Sequence, residues 1–153
     1  MNRTESIIQQ AELHCQSRGS RLTAKRKQVL SGLIESGKAM SAYELIDFCK
    51  QHYGDSFSAM SIYRILEFLE EEHLAHRLNI ANKYVACAHI NCEHEHDTPQ
   101  FLICRKCHKV REIRIKADTI TNLKTNVADA GFTLSTPQLE MNCLCNDCKP
   151  HNA

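Results

Sequence analysis

The chain has 153 residues with a formal net charge of +1, and it contains nine cysteines and nine histidines. No stretch approaches the ~20 apolar residues of a membrane span, and the start lacks a secretion signal, so we expect a cytoplasmic protein with reduced thiols. An odd number of cysteines cannot pair fully within the chain, which favours metal binding over disulfides, and a charge near zero excludes a uniformly basic nucleic-acid coat.

Four helices are predicted in the first part of the chain. Ile8, Ala11 and Cys15 recur at helical spacing in a first helix that ends near Gly19. Three side chains are candidate N-caps of the helices that follow: Thr23, Ser41 and Ser58. The last helix carries an apolar stripe at i, i+3, i+4 and i+7 spacing, which consists of Ile62, Ile65, Leu66 and Leu69. A loop of about six residues joins the last two helices, which is typical of a helix-turn-helix.

Short β-compatible segments follow these helices. Residues 74–78 and 83–87 are predicted to form a hairpin, and helices followed by a hairpin suggest a winged helix. Further strands are predicted at 101–104 and 109–115, then a helix over 117–130 that ends at Gly131. The last strand is predicted to begin at residues 132–134. The chain is therefore expected to have an α+β fold.

The metal-ligating residues are unevenly distributed along this order of elements. Only two of the nine cysteines precede residue 85, and six of the nine histidines lie between residues 73 and 108. This change in composition is the strongest domain signal in the chain. It predicts a metal-poor domain over residues 1–88 and a metal-rich domain over residues 89–153, each large enough for a modest core.

Two CxxC pairs are the strongest chemical signal. Cys104 and Cys107 form the first pair, and Cys145 and Cys148 form the second, about forty residues later. Two such turns can complete a tetrahedron of thiolates around zinc, which leaves no open position and is therefore structural. Reduced core thiols and a thioredoxin-like redox motif are weaker interpretations, because charged residues separate the cysteines and no βαβ unit surrounds them. Cys143 is an alternative to Cys145 as the third ligand.

A second cluster offers mixed nitrogen, sulfur and oxygen donors, which suits zinc or another borderline divalent ion. Its members are His76, Cys87, His89, Cys92, His94, His96 and Glu112. The polar loop that carries four of them could instead be simply solvated. Because His76 and Cys87 lie on opposite arms of the predicted hairpin, a metal held there would influence how the two domains are oriented, which is the geometry of a sensor.

The last helix of the predicted helix-turn-helix presents polar residues opposite its apolar stripe. Arg64 is placed either to make a bidentate contact to guanine or to pair with Glu67 on a solvated surface, and spacing alone leaves both open. Basic residues between positions 18 and 27 have no acid among them and suit contact with phosphates. They are Arg18, Arg21, Lys25, Arg26 and Lys27.

These segments together resemble the ferric uptake regulator family, and within it the zinc-responsive members. The segment RLTAKRKQVL at residues 21–30 is similar to the family's RLTPQR…VL, and SIYRILEFL at 61–69 is similar to its recognition helix TVYRAL…L. SAYEL at 41–45 matches the zinc-responsive form of the preceding helix. The two CxxC pairs match the family's structural zinc site. The resemblance covers nearly the whole chain.

The resemblance implies an amino-terminal winged helix-turn-helix domain that binds double-stranded operator DNA, followed by a carboxy-terminal α/β dimerisation domain with structural zinc. It implies a homodimeric, zinc-responsive repressor of zinc uptake genes, with two Zn²⁺ per subunit, one structural and one regulatory corepressor. The regulatory ligands would be His76, Cys87, His96 and Glu112, with His94 as the alternative to His96. The DNA-binding residues would be Tyr43, Tyr63, Arg64, Arg21, Lys25 and Arg26.

Three other functions are weaker expectations. A family member that senses iron, manganese, nickel or peroxide is disfavoured because the thiolate of Cys87 is a soft ligand that suits zinc. A zinc enzyme of the nucleobase deaminase type would need H-x-E followed by P-C-x-x-C, and the chain has no H-x-E. A bare zinc-ribbon module would not need the helix-turn-helix. We therefore expect neither catalysis nor a small-molecule substrate.

Overall fold

The computed structural model describes residues 2–88, 90, 99–135 and 138–149. Backbone contacts divide the chain into two compact units, Met1–Glu93 and His94–Ala153. Four helices precede the first strand and a fifth helix lies between the last two strands, which confirms the α+β fold class. The domain boundary expected between residues 88 and 89 stays a prediction. None of the helices in the described residues has the length and apolarity needed to cross a membrane.

The first unit begins with four helices, as predicted. Their bounds are α1 Arg3–Ser17, α2 Ala24–Ser36, α3 Ala42–Tyr53 and α4 Ala59–Glu71. Thr23, Ser41 and Ser58 each accept a hydrogen bond from the backbone amide three residues later, so all three predicted N-caps are confirmed. These caps satisfy amides that would otherwise have no partner within the helix.

The core of this unit lies where α2, α3 and α4 pack together. The apolar stripe of α4 is at most 8% exposed, and Leu30, Leu45 and Cys49 are fully buried. Helices α2 and α3 approach closely at Gly32, where a Cβ atom would lie only 3.3 Å from Cδ1 of Leu45. Burial raises the pKa of the Cys49 thiol to about 11, so this cysteine behaves as a core residue and not as a metal ligand.

A β-hairpin completes the first unit. Strands β1 Ala75–Leu78 and β2 Lys83–Ala86 pair antiparallel, as predicted. The amide and carbonyl of Tyr84 each hydrogen-bond to Met40, at 2.8 and 3.0 Å. Because Met40 precedes the cap of α3, this bridge joins the hairpin to the start of the helix-turn-helix.

In its described residues, the second unit contains a three-stranded sheet and one helix. Its elements are β3 Pro99–Cys104, β4 Val110–Arg114, α5 Ala117–Asp129 and β5 Leu139–Cys143. The strand order is β4-β3-β5, in which β4 is antiparallel and β5 parallel to the central β3. The sheet carries each CxxC pair at or just beyond the end of a strand.

The prediction that the last strand begins at Phe132 is wrong. Gly131 takes a left-handed φ of +88°, and the amide of Phe132 donates to the carbonyl of Val127 at 3.0 Å. This hydrogen bond, with that from Gly131 to Ala128, forms a Schellman cap of α5, so the Phe132 amide is engaged at the helix end. The strand that does pair with β3 begins later, at Leu139.

Candidate metal centres and nucleic-acid interface

The structure brings the four predicted zinc-binding cysteines of the second unit together. The sulfur atoms of Cys104, Cys107, Cys145 and Cys148 all lie within 4.8 Å of one another. The distance between the sulfurs of Cys107 and Cys145 is 3.7 Å. A tetrahedral zinc site with bonds of ~2.3 Å separates its sulfurs by roughly 3.8 Å, so these residues fit a zinc ion. Cys143 is not part of this cluster, and its thiol lies 3.6 Å from the carbonyl oxygen of Met141.

The thiols of this cluster have different proton affinities. The backbone amides of Cys107 and Cys145 point at the sulfur of Cys104 and lower its pKa to about 5. A hydrogen bond with Cys145 instead raises the pKa of Cys148. One thiolate is therefore available at neutral pH, whereas another must lose a proton when a metal binds. Zinc affinity should accordingly fall as the pH is lowered.

The turn that carries the first CxxC pair contains a strained residue. His108 follows Cys107 with a left-handed φ of +64°, and its side chain is exposed. We expect His108→Gly to stabilise the zinc-loaded second unit by roughly 0.5–1 kcal/mol, because glycine adopts this conformation without a Cβ clash. The measurement is chemical unfolding with zinc present. His108→Val should lower the stability, and a loss of stability in both variants would contradict this account.

Two of the predicted regulatory ligands lie together on the hairpin of the first unit. His76 is on β1, Cys87 directly follows β2, and a ring nitrogen of His76 lies within 4.8 Å of the Cys87 sulfur. Cys87 is only 5% exposed, and its amide donates to the carbonyl of Leu74 at 2.9 Å. A buried thiol beside an imidazole is a donor pair that suits zinc.

The other predicted regulatory ligands come from later in the chain. Glu112 is a half-buried residue of β4 in the second unit. His96 and its alternative His94 are outside the described residues, as are His89 and Cys92.

Exposed side chains mark the surface of the helix-turn-helix. Tyr43, in the first turn of α3, is 67% exposed, and Tyr63 on α4 is 45% exposed. Arg64 is also exposed, opposite the buried stripe of α4. Among the described residues no ion pair joins Arg64 to Glu67. The arginine is therefore available to a ligand such as DNA.

The predicted basic run separates into two groups. Arg21 and Lys25 are exposed, as a phosphate contact requires. Three others contact residues of their own unit: Arg18 pairs with Glu72 at 2.8 Å, Lys27 pairs with Glu12 at 2.9 Å, and Arg26 lies over the ring of Phe68. The sequence could not predict these partners, because Phe68 on α4 and Glu72 directly after it lie far along the chain.

Arg26 has a structural role in addition to its charge. Its guanidinium lies 3.7 Å from the centroid of the Phe68 ring, and it donates to the carbonyl of Arg21 at 2.7 Å. A cation–π contact of this kind contributes about 0.5–1 kcal/mol at an exposed site. Arg26 thus connects the start of α2, which carries the exposed basic residues, to α4.

Comparisons with known proteins agree with this geometry. A model of the ferric uptake regulator family matches residues 17–142. The zinc uptake regulation protein of Escherichia coli K12 is 32% identical over 145 residues, which cover 95% of this chain and 82% of the relative.

Solved structures give the same result. A zinc uptake regulator in complex with zinc and DNA is 30% identical, with a TM-score of 0.83 over 97% of this chain and 96% of the other. The holo form of a regulator named XcZur is 33% identical, with a TM-score of 0.77 over 94% and 96% of the two chains. The chain therefore belongs to the ferric uptake regulator family.

Proposed function

We propose that the protein is a cytoplasmic, zinc-responsive repressor that binds double-stranded operator DNA of zinc uptake genes as a homodimer. The observation that carries this function is the His76–Cys87 donor pair on a hairpin that is itself hydrogen-bonded to the helix-turn-helix. Similar proteins of known structure include a zinc uptake regulator bound to both zinc and DNA. The relatives are regulation proteins and not enzymes, so no catalytic residue is proposed.

Two zinc ions per chain are proposed, with different roles. The four clustered cysteines would hold a structural ion, because a complete set of thiolates leaves no position for a ligand that comes and goes. His76 and Cys87, with Glu112 and His96 or alternatively His94, would hold the regulatory ion. Zinc bound to both units would reduce the orientations open to the DNA-binding helices, which is how a corepressor favours the binding-competent state.

Contacts within the first unit support a link between the regulatory site and the DNA surface. Cys87 lies three residues after Tyr84, whose backbone pairs with Met40 next to the α3 cap. Lys83 on the same strand forms an ion pair of 3.0 Å with Glu44, in the first turn of α3. A metal that restrains β2 therefore also restrains the turn that presents Tyr43.

The chemistry of the donors favours zinc over the other metals that this family could sense. The thiolate of Cys87 is softer than the imidazole and carboxylate ligands that suit iron or manganese. The test is a metal titration of DNA binding, with duplexes selected from random sequence by the zinc-loaded protein. We expect zinc to restore binding after chelation at a lower concentration than manganese or ferrous iron. The opposite order would favour the alternative sensor.

The dimer is proposed to form through the second unit. No residue of α5 is buried within the single chain, although Ile120, Leu123 and Val127 follow one side of the helix. Phe132 and Met141 in the same unit are 72% and 48% exposed. Exposed apolar residues in these numbers are typical of a subunit interface.

Two substitutions should separate base reading from phosphate contact. Arg64→Ala should cost about 1–3 kcal/mol of binding free energy and relax the preference at particular base pairs, because a bidentate contact to guanine is lost. Lys25→Ala should weaken binding to all duplexes and reduce the slope of affinity against salt by about one. Binding isotherms at several salt concentrations on matched and mutated duplexes measure both. Equal effects of the two variants on all sequences would contradict the base-reading role of Arg64.

A further inference from the structure

An exposed methionine lies in the first turn of the recognition helix. Met60 is 65% exposed, and it is one of three large apolar or aromatic side chains that α3 and α4 leave exposed. The other two are Tyr43 and Tyr63, both in the proposed DNA-binding set. Met60 precedes Tyr63 by three residues and Arg64 by four, so the three side chains share one face of α4.

The fold does not require an apolar residue at this position. Ser58 caps the helix by accepting from the amide of Ser61 at 3.1 Å. The apolar residue before the cap, Phe57, is 8% exposed and Ile62 is fully buried, which is the pattern of a hydrophobic staple. The stripe of α4 supplies the rest of the core contact. The core of the first unit therefore does not need the Met60 side chain, which lies on the exposed face of α4 that carries Arg64.

The chemistry of the major groove gives this side chain a specific target. The first turns of a recognition helix contact base edges in the groove. Thymine is the one base that presents an apolar group there, its 5-methyl, and apolar side chains recognise it by contact. We propose that Met60 is a specificity-determining residue that packs against the 5-methyl group of a thymine near the base read by Arg64. This inference rests on the proposed function, because it assumes that α4 enters the major groove.

The experiment removes each partner of the contact in turn: the 5-methyl group of the thymine, or the apolar side chain of Met60. The probe is the tightest duplex that the zinc-loaded protein recovers from random-sequence DNA, with each thymine replaced in turn by deoxyuridine, which lacks the 5-methyl. For the wild type, we expect one replacement per half-site to weaken binding about fourfold, the effect of one methyl-sized apolar contact. Met60→Gln should lose a similar factor on the thymine duplex and should no longer respond to that replacement. Glutamine has nearly the same helix propensity as methionine, so the helix is preserved.

A matched control comes from α1. Leu13 is 57% exposed but lies outside the helix-turn-helix, so Leu13→Gln should keep the full response to deoxyuridine. The inference is overturned if Met60→Gln responds to every deoxyuridine as the wild type does, or if no thymine methyl affects wild-type binding. If the protein selects no duplex in a zinc-dependent manner, the proposed function is overturned together with the inference about Met60. If it selects a duplex but the deoxyuridine responses fail, only the inference about Met60 is overturned.

Discussion

Replacing Cys104 by serine is expected to unfold the second unit and to abolish the dimer. Cys104 is 2% exposed at the end of the central strand β3, and the amide of Cys145 donates to its sulfur at 3.4 Å. A structural zinc ion in a small domain contributes about 10–16 kcal/mol, which is comparable to the whole stability of a typical domain. Loss of one of the four thiolates therefore weakens an interaction that is as large as the stability of the domain itself. Metal content, sedimentation and circular dichroism measure the outcome.

The matched control for this variant is Cys143→Ser. Cys143 pairs in register with Cys104 on the neighbouring strand, yet its sulfur is not part of the four-cysteine cluster. We expect this variant to keep its tightly bound zinc, its fold and its dimer. A folded, dimeric Cys104→Ser protein, or loss of the tight zinc in Cys143→Ser, would show that the structural site has been assigned to the wrong cysteines.

Replacing Cys87 by serine should uncouple zinc from DNA binding without unfolding the protein. The thiolate is the softest donor in the proposed regulatory set, and the hydroxyl of serine is a poor substitute for it. An effector typically changes the affinity for a second ligand about 5–150-fold. We expect Cys87→Ser to lose most of the change in DNA affinity that zinc causes in the wild type. The measurement is operator affinity with added zinc and with a chelator, together with the oligomeric state.

The same Cys143→Ser protein serves as control here, since it removes a thiol outside both metal sites. It should keep the full zinc response of the wild type. If Cys87→Ser also keeps it, the regulatory ion is held by other residues. If Cys87→Ser loses its fold or its dimer, the cysteine has a structural role and not the sensing role proposed for it.

Local signals in the sequence predicted most of the fold. The N-caps Thr23, Ser41 and Ser58 are side chains that act on amides three residues away, so their effect can be deduced from the sequence alone. The four cysteines were found for a similar reason, because CxxC spacing is a local geometric requirement of a zinc ligand pair.

The features that were missed depend on partners distant in the chain. Strand β5 pairs parallel to β3 across almost forty residues, and its alternation is too weak to indicate a strand without that partner. The contacts of Arg18 with Glu72 and of Arg26 with Phe68 appear only once the helices are packed, and the predicted DNA-binding role of Arg26 stays a prediction. Exposure, as at Met60, is likewise a property of the folded unit.

Metal content measured in parallel with DNA binding tests the central claim most directly. Purified protein should hold two zinc ions per chain, one of which a mild chelator removes while the fold and the dimer persist. The one-zinc form should bind its selected duplex about 5–150-fold more weakly, and added zinc should restore the affinity as the second ion returns. The account would be contradicted if the one-zinc form bound the duplex as tightly as the two-zinc form.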